Sequence, residues 1–256
     1  MGDWDPGHYL KFEDYRTRPS VDLVSHIRVT DPRSVIDLGC GPGNSTRVLC
    51  ARWPRARVVG LDSSAEMIDA ASEAYPEQEW VRGGIGRWTA AEPFDVVFSN
   101  AALQWLDDHG ALLPRLFGQV APGGAFAIQL PAAMYSSIRG MIHEVADDPG
   151  WSSRMERARS ALTIEEPTAY YDALAPLARS VDLWETEYHH VLESPSAIVE
   201  WISSTGLRPF LDALDSGDER ERFTAMLLER VAAGFPRRAD GNVLFPFRRI
   251  FIVAYA

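Results

Sequence analysis

The chain has 256 residues, 46% hydrophobic and 24% charged, which fits one elaborated domain or two small ones with a full core and excludes a disordered chain. Its 25 basic and 36 acidic residues leave a net charge of −11, a poor match for free DNA or RNA. No stretch approaches the roughly 18 uninterrupted apolar residues of a membrane span, and Met1–Pro6 lacks the basic and apolar regions of a signal peptide, so a cytoplasmic protein is expected; a monomer is the expected state, although no residue pattern argues for it.

Short apolar runs of β type alternate with helical patterns through the first half. Ser34–Leu38 is the first run, Arg57–Leu61 the second, Glu79–Val81 a weak third and Phe94–Ser99 a fourth. Ala125–Leu130 is the fifth, set off by the turn Pro122-Gly123-Gly124. A helix is expected from about Asn44 to Trp53, and Ser63-x-x-Glu66 reads as a capping box opening another through about Ala74. Residues 107–120 read as helix, where Pro114 forces a kink or a fresh start. Strands alternating with helices predict an α/β fold, a doubly wound parallel sheet covered on both faces. Residues from about 131 to 178 read as mostly helical, with breaks at Pro149-Gly150 and Pro167. Val181–Leu192 returns to a strand pattern, more helices fill about 195–235, and Arg249–Tyr255 closes the chain as a last strand. No linker divides these parts. A single domain is expected, its sheet in 33–130, 181–192 and 249–255, with 131–178 and 195–235 as a helical cover. Cys40 falls in a loop and Cys50 along the next helix, too far apart to bridge, so both are expected as free thiols.

The most informative segment is Asp37-Leu38-Gly39-Cys40-Gly41-Pro42-Gly43-Asn44-Ser45-Thr46, a strand end, a glycine turn and a helix start. Glycine is needed where the backbone turns sharply and where a ligand must touch the main chain. Asp62 follows at the end of the second strand, at the spacing of an acidic residue that accepts hydrogen bonds from ribose hydroxyls. The pattern is G-x-G-x-G, not G-x-G-x-x-G, and Asp37 before it would repel a pyrophosphate. A ligand with an ammonium group, a ribose and no phosphate suits it: S-adenosylmethionine. An ordinary glycine turn without a nucleoside ligand, and a nicotinamide or flavin enzyme, are the alternatives at this point. The cofactor residues expected are Asp37, Gly39, Cys40, Gly41, Gly43, Asn44, Asp62 and Ser63. Gly84 and Ile85 join them near the adenine, after the third strand, and Asn100 at the end of the fourth. In open α/β sheets ligands sit beyond the carboxyl ends of the strands, which makes Gln104 and Trp105 candidates for the walls of the methyl site. Trp105 as plain core is the competing reading.

With these residues the sequence resembles the class I methyltransferases and, within them, the trans-aconitate methyltransferase family. The likeness includes Trp4-Asp5-Pro6, Tyr9-Leu10, Arg18-Pro19, the glycine segment, Asp62-Ser63-Ser64 and Leu103–Leu106. It continues through Ala169–Asp172, Thr205-Gly206-Leu207-Arg208-Pro209 and Phe251–Ala254. The resemblance implies a Rossmann-like, seven-stranded mixed sheet with an antiparallel last strand and helical lid insertions. It also implies methyl transfer from S-adenosylmethionine to a carboxylate of a small tricarboxylic acid. An antiparallel last strand would begin where the parallel strands end, so Arg249 would face the site. Arginine grips carboxylates bidentately, which makes Arg18, Arg208 and Arg249 the expected clamp, with Tyr9, Gln104, Gln129 and Tyr171 as neutral donors. A carboxylate is already a nucleophile at neutral pH, so no catalytic base is expected. Another small acid or a phenol as acceptor, or binding of the cofactor without turnover, would leave the same glycine loop.

Three other clusters carry less. His189 and His190 are strand neighbours pointing to opposite faces and make no metal site. Asp107-Asp108-His109 reads as an acidic helix start, and Arg237-Arg238 as a solvated loop.

Overall fold

The computed structural model describes residues 13–132 and 137–256. Seven strands form one sheet: β1 (Ser34–Leu38), β2 (Arg57–Asp62), β3 (Glu79–Arg82), β4 (Phe94–Asn100), β5 (Val120–Pro131), β6 (Ser180–Leu192) and β7 (Val243–Tyr255). Their order is β3-β2-β1-β4-β5-β7-β6, with β1 to β5 parallel and β7 antiparallel to both its neighbours. The α-helices are α1 (Glu13–His26), α2 (Asn44–Arg52), α3 (Ala65–Ala74), α4 (His109–Phe117) and α5 (Ser137–Ala146). They continue with α6 (Glu156–Arg159), α7 (Pro167–Leu174), α8 (Pro195–Ser203), α9 (Arg208–Asp212) and α10 (Gly217–Gly234).

Side chains alternate across a strand, and β7 buries both of its faces in this way. Ile250, Ile252 and Ala254 pack on one face with Leu112, Leu116, Tyr170 and Leu174 of α4 and α7. Phe251, Val253 and Tyr255 pack on the other with Leu23 of α1, Ile27 just past its end, and Leu49 of α2. A third apolar cluster lies past the sheet. It joins Ile138, Ile142 and Val145 of α5 to Ile198 and Ile202 of α8, Leu227 and Val231 of α10, and Val243 and Phe245 at the start of β7.

Strand β5 starts at Val120, ahead of the turn Pro122-Gly123-Gly124 expected to precede it, and four further departures from the expected boundaries have a local reason. Strand β2 runs through Asp62, so Ser63 only bridges, and Ser64, not Ser63, caps α3 by accepting from the Met67 N–H. Pro114 neither breaks nor restarts its helix and sits inside the nine-residue α4. Strand β7 begins at Val243, six residues before Arg249, because it pairs with β6 over its whole length. Pro246 hid this in the sequence; it is tolerated because β7 has left β5 there, the last pair being Pro131 with Arg249. Finally, α7 packs on the sheet through Tyr170 and Leu174, so the stretch expected as cover divides between sheet and cover.

Candidate active site

The glycine loop bridges β1 and α2 with three left-handed residues, Gly39 (φ 78°), Gly41 (φ 54°) and Gly43 (φ 95°). Gly39 and Cys40 both donate to the Leu61 carbonyl, 2.7 and 3.1 Å away, which ties the loop to β2. A Cβ on Gly39 would lie 2.2 Å from the Ala102 Cβ, whereas one on Gly41 would meet nothing within 4 Å. The main chain at Gly41 is therefore open to a ligand, and that at Gly39 is shut against the end of β4. Asp62 holds this conformation, accepting from the Gly41 N–H at 3.0 Å and the Ser64 N–H at 2.9 Å.

Asp37, expected among the cofactor residues, keeps one carboxyl oxygen, Oδ1, without a hydrogen-bond partner among the described residues. It is fully buried beneath the loop, and Oδ2 accepts from the Ser45 and Thr46 hydroxyls at 2.6 and 2.7 Å, joining β1 to the first turn of α2. Burial pushes its carboxyl up to about 6, against the pull of the two hydroxyls, and the Asp62 charge adds to the rise. The free energy follows from the sign of that shift. Between about pH 4 and pH 6 the folded protein keeps a proton that the unfolded chain has lost, so this group makes stability fall as pH rises. In D37N the amide remains a partner for both hydroxyls and the titration is gone. The unfolding free energy of D37N relative to wild type should rise by about 2 to 3 kcal/mol between pH 4 and pH 7, read by urea denaturation.

The remaining expected cofactor residues lie along the same edge. Ser63 and Gly84 are exposed, and Gly84 faces open space. Ile85 is buried and would touch a Gly39 Cβ at 3.5 Å. Cys40 is buried with its thiol pushed far up by burial, and both cysteines are free. Asn44 opens α2, and Asn100 ends β4 with its Oδ1 lacking a hydrogen-bond partner among the described residues.

Asn100 also lines a cavity of about 160 Å³ beyond the ends of β4 and β5. Four guanidinium groups line it, Arg16 from α1, Arg139 from α5, Arg159 from α6 and Arg249 from β7, and no carboxylate does so among the described residues. Arg16 donates to the Trp201 carbonyl and the Ser204 hydroxyl, and Arg159 to Asp147 outside the cavity. Arg249 is 5% exposed; its Nη1 donates to Gln129 Oε1 at 3.2 Å, and its guanidinium lies 4.7 Å from the Phe247 ring centre. Gln104 and Trp105 are also in the wall.

The other expected donors lie elsewhere. Arg18 is exposed and stacks on Tyr188 at 4.9 Å. Two residues along a helix turn by about 200°, so Arg16 and Arg18 cannot share the cavity, and Arg16 is the one inside. Arg208 borders a neighbouring cavity of about 590 Å³ and pairs with Asp212 across one turn of α9. Tyr171 is 50% exposed on α7, while Tyr170 turns inward to His109. Gln129 has no exposed surface and sits behind Arg249 as its buttress. Tyr9 lies outside the described residues. Among the clusters set aside, Asp108 caps α4 and His109 is buried against the Leu103 carbonyl. Arg237 donates to main-chain carbonyls. His190 is buried between Tyr15 and Trp201 and pushed down to about 3, first by burial and then by Arg249 and Arg18, so it is a neutral packing residue.

Residues 35–124 match the family model of a methyltransferase domain. The chain is 46% identical over 255 residues to the trans-aconitate 2-methyltransferase of Azoarcus sp. strain BH72, covering 99% of both chains. Identity and coverage are the same for the protein of that name from Rhodopseudomonas palustris strain BisB18. The chain belongs to the trans-aconitate 2-methyltransferase family. This methyltransferase also shares its fold with the YcgJ protein of Bacillus subtilis, at a TM-score of 0.61 and 14% identity over 93% of this chain and 98% of that one. Phosphoethanolamine N-methyltransferase 2 of Haemonchus contortus, in complex with S-adenosyl-L-methionine, has a TM-score of 0.59 at 14% identity, over 97% of this chain and 56% of that one.

The residues present in the methyltransferase fit S-adenosylmethionine. The open main chain at Gly41 and the carboxylate of Asp62 suit an amino-acid tail and a ribose, and the uncrowded face of Gly84 leaves room for a base. The sequence did not single out Arg16, Arg139, His143 or Arg159. A usable signal existed in α5, where Ile138 and Ile142 are buried and Arg139 and His143 recur at the same four-residue interval.

Proposed function

We propose that this enzyme methylates a carboxylate of trans-aconitate, with S-adenosylmethionine as donor. The observation that carries the reading is the cavity at the strand ends, lined among the described residues by four arginines and no acid, in a chain whose net charge is −11. Such a local concentration of cations suits a small polyanion and gives an uncharged phenol or amine no partner. Arginine recognises a carboxylate through two parallel hydrogen bonds, which orients as well as binds.

When bound, S-adenosylmethionine supplies an electrophilic methyl group. The protein's task is then placement. Arg16, Arg139, Arg159 and Arg249 hold the carboxylates, Gln129 braces Arg249, and Ile138, Ile142 and Phe210 keep water from the cavity. A carboxylate is ionised at pH 7 and needs no base to attack. Substituting any one histidine is therefore expected to leave kcat within about tenfold, measured at saturating acid; a fall near 10³ would mean base catalysis.

The deciding assay is formation of a methyl ester from trans-aconitate and labelled S-adenosylmethionine, followed by mass spectrometry. Binding of the donor without ester formation on any small acid would make the chain a binding protein. Turnover of a neutral phenol with none of the acid would overturn the acceptor class.

A further inference from the structure

We propose that His143 is a substrate-positioning residue, a neutral imidazole whose Nε2–H donates to one carboxylate of the bound tricarboxylate. The inference rests on the trans-aconitate reading of the same cavity. It starts from where the ring sits. His143 is on α5 one turn after Arg139, and both line the arginine cavity. From α6, Arg159 brings its Nη1 to 3.4 Å from His143 Nδ1.

That contact decides the tautomer. A guanidinium has five N–H donors and no acceptor, so Nδ1 must be the accepting nitrogen and bears no proton. The proton of the neutral ring is then on Nε2, which has no hydrogen-bond partner among the described residues. The charged groups around the ring are Arg139 on its own helix, Arg159 on α6, and Asp147, which pairs with Arg159. Burial, then Arg139 and Arg159, hold the imidazole below its usual range, and Asp147 only partly offsets them. A second proton on Nδ1 would face a guanidinium directly. Phe210, its ring centre 5.7 Å away, flanks the imidazole from the opposite wall.

The consequence is a division of labour in the cavity. Arginines attract any carboxylate, and charge alone separates a tricarboxylate from a dicarboxylate only weakly. A neutral donor held at one angle adds a directional contact without bringing another charge out of water. A hydrogen bond to a charged group has a binding effect of about tenfold to 100-fold.

The test compares H143L, which keeps bulk without a donor, with H143Q, whose amide nitrogen takes the place of Nε2. In H143L the KM for trans-aconitate should rise at least about tenfold with kcat within about threefold, and in H143Q both should stay within about threefold of wild type. Three dicarboxylates, each lacking one carboxylate of trans-aconitate, are then measured as competitive inhibitors. For the one missing the contacted group, Ki should be the same in wild type and H143L. Nitrogen-15 spectra of the free wild-type enzyme should show the Nε2–H tautomer, and thermal unfolding should show both variants folded. The proposal is overturned if H143Q is impaired as much as H143L, if all three inhibitors weaken equally, or if the spectra show Nδ1–H. If the wild type makes no ester of trans-aconitate, the functional reading fails instead, while the spectra still report the tautomer.

Discussion

Replacing Arg249 by methionine is expected to lower kcat/KM for trans-aconitate by on the order of 10² to 10³, with thermal stability little changed. Methionine keeps an apolar stem against Phe247 and removes the charge. The size of the effect comes from enclosure. Arg249 is 5% exposed and oriented by Gln129, so a carboxylate meeting it has given up its water and loses the partner that replaced it once the guanidinium is gone. Lysine at this position should recover only part of the loss, since it offers a point charge where a planar fork is needed. The control is R18A, expected within about threefold of wild type because Arg18 is exposed and rests on Tyr188. Steady-state kinetics on the three variants decide the matter. Equal losses in R18A and R249M would mean that the clamp is not in this cavity.

The second large effect is expected at the glycine loop. In G39A the new Cβ would lie 2.2 Å from that of Ala102, on a backbone already at φ 78°, so both packing and conformation oppose it. The loss of stability should exceed about 2 kcal/mol, and affinity for S-adenosylmethionine should fall at least about 100-fold as the loop shifts. In the double variant G39A/A102G the clash is gone and only the φ strain is left, so more than half of the stability should return. G41A makes the contrast. Its Cβ meets no protein atom within 4 Å, so the strain of about 1 kcal/mol is the whole stability cost, yet the methyl occupies the space over the open main chain and donor binding should suffer. Chemical denaturation and calorimetric titration of the donor separate these outcomes. If A102G restores nothing, the close approach of the loop to β4 is not what demands glycine at position 39.

The two sites were unequally legible in the sequence, and the reason is local. The donor loop is one continuous segment whose function depends on backbone shape. Gly39, Gly41 and Gly43 advertise left-handed positions, and Asp62 lies one strand–helix–strand unit away, so a short-range pattern was enough. Asp37 shows the limit even there: its place before the glycines suggested a ligand contact, and nothing nearby in the sequence announced that Ser45 and Thr46 would both bond its Oδ2. The acceptor cavity has no such continuity. Its arginines come from positions 16, 139, 159 and 249, on four elements that meet only after the chain has folded.

The sequence by itself determined the α/β class and the donor loop, because periodicity and glycine spacing are properties of nearby residues; the expectation of a local basic pocket came from the resemblance to the trans-aconitate family and not from the net charge. Only the tertiary structure decided which arginines form that pocket. Arg16 faces inward and Arg18 outward because a helix turns about 100° per residue, and one register decides the pair. Arg249 reaches the site because β7 leaves β5 at that residue, and Arg208 does not because α9 turns it toward Asp212 and the neighbouring cavity. A side chain's direction depends on the packing of whole elements, and that is set by contacts between residues far apart in the chain.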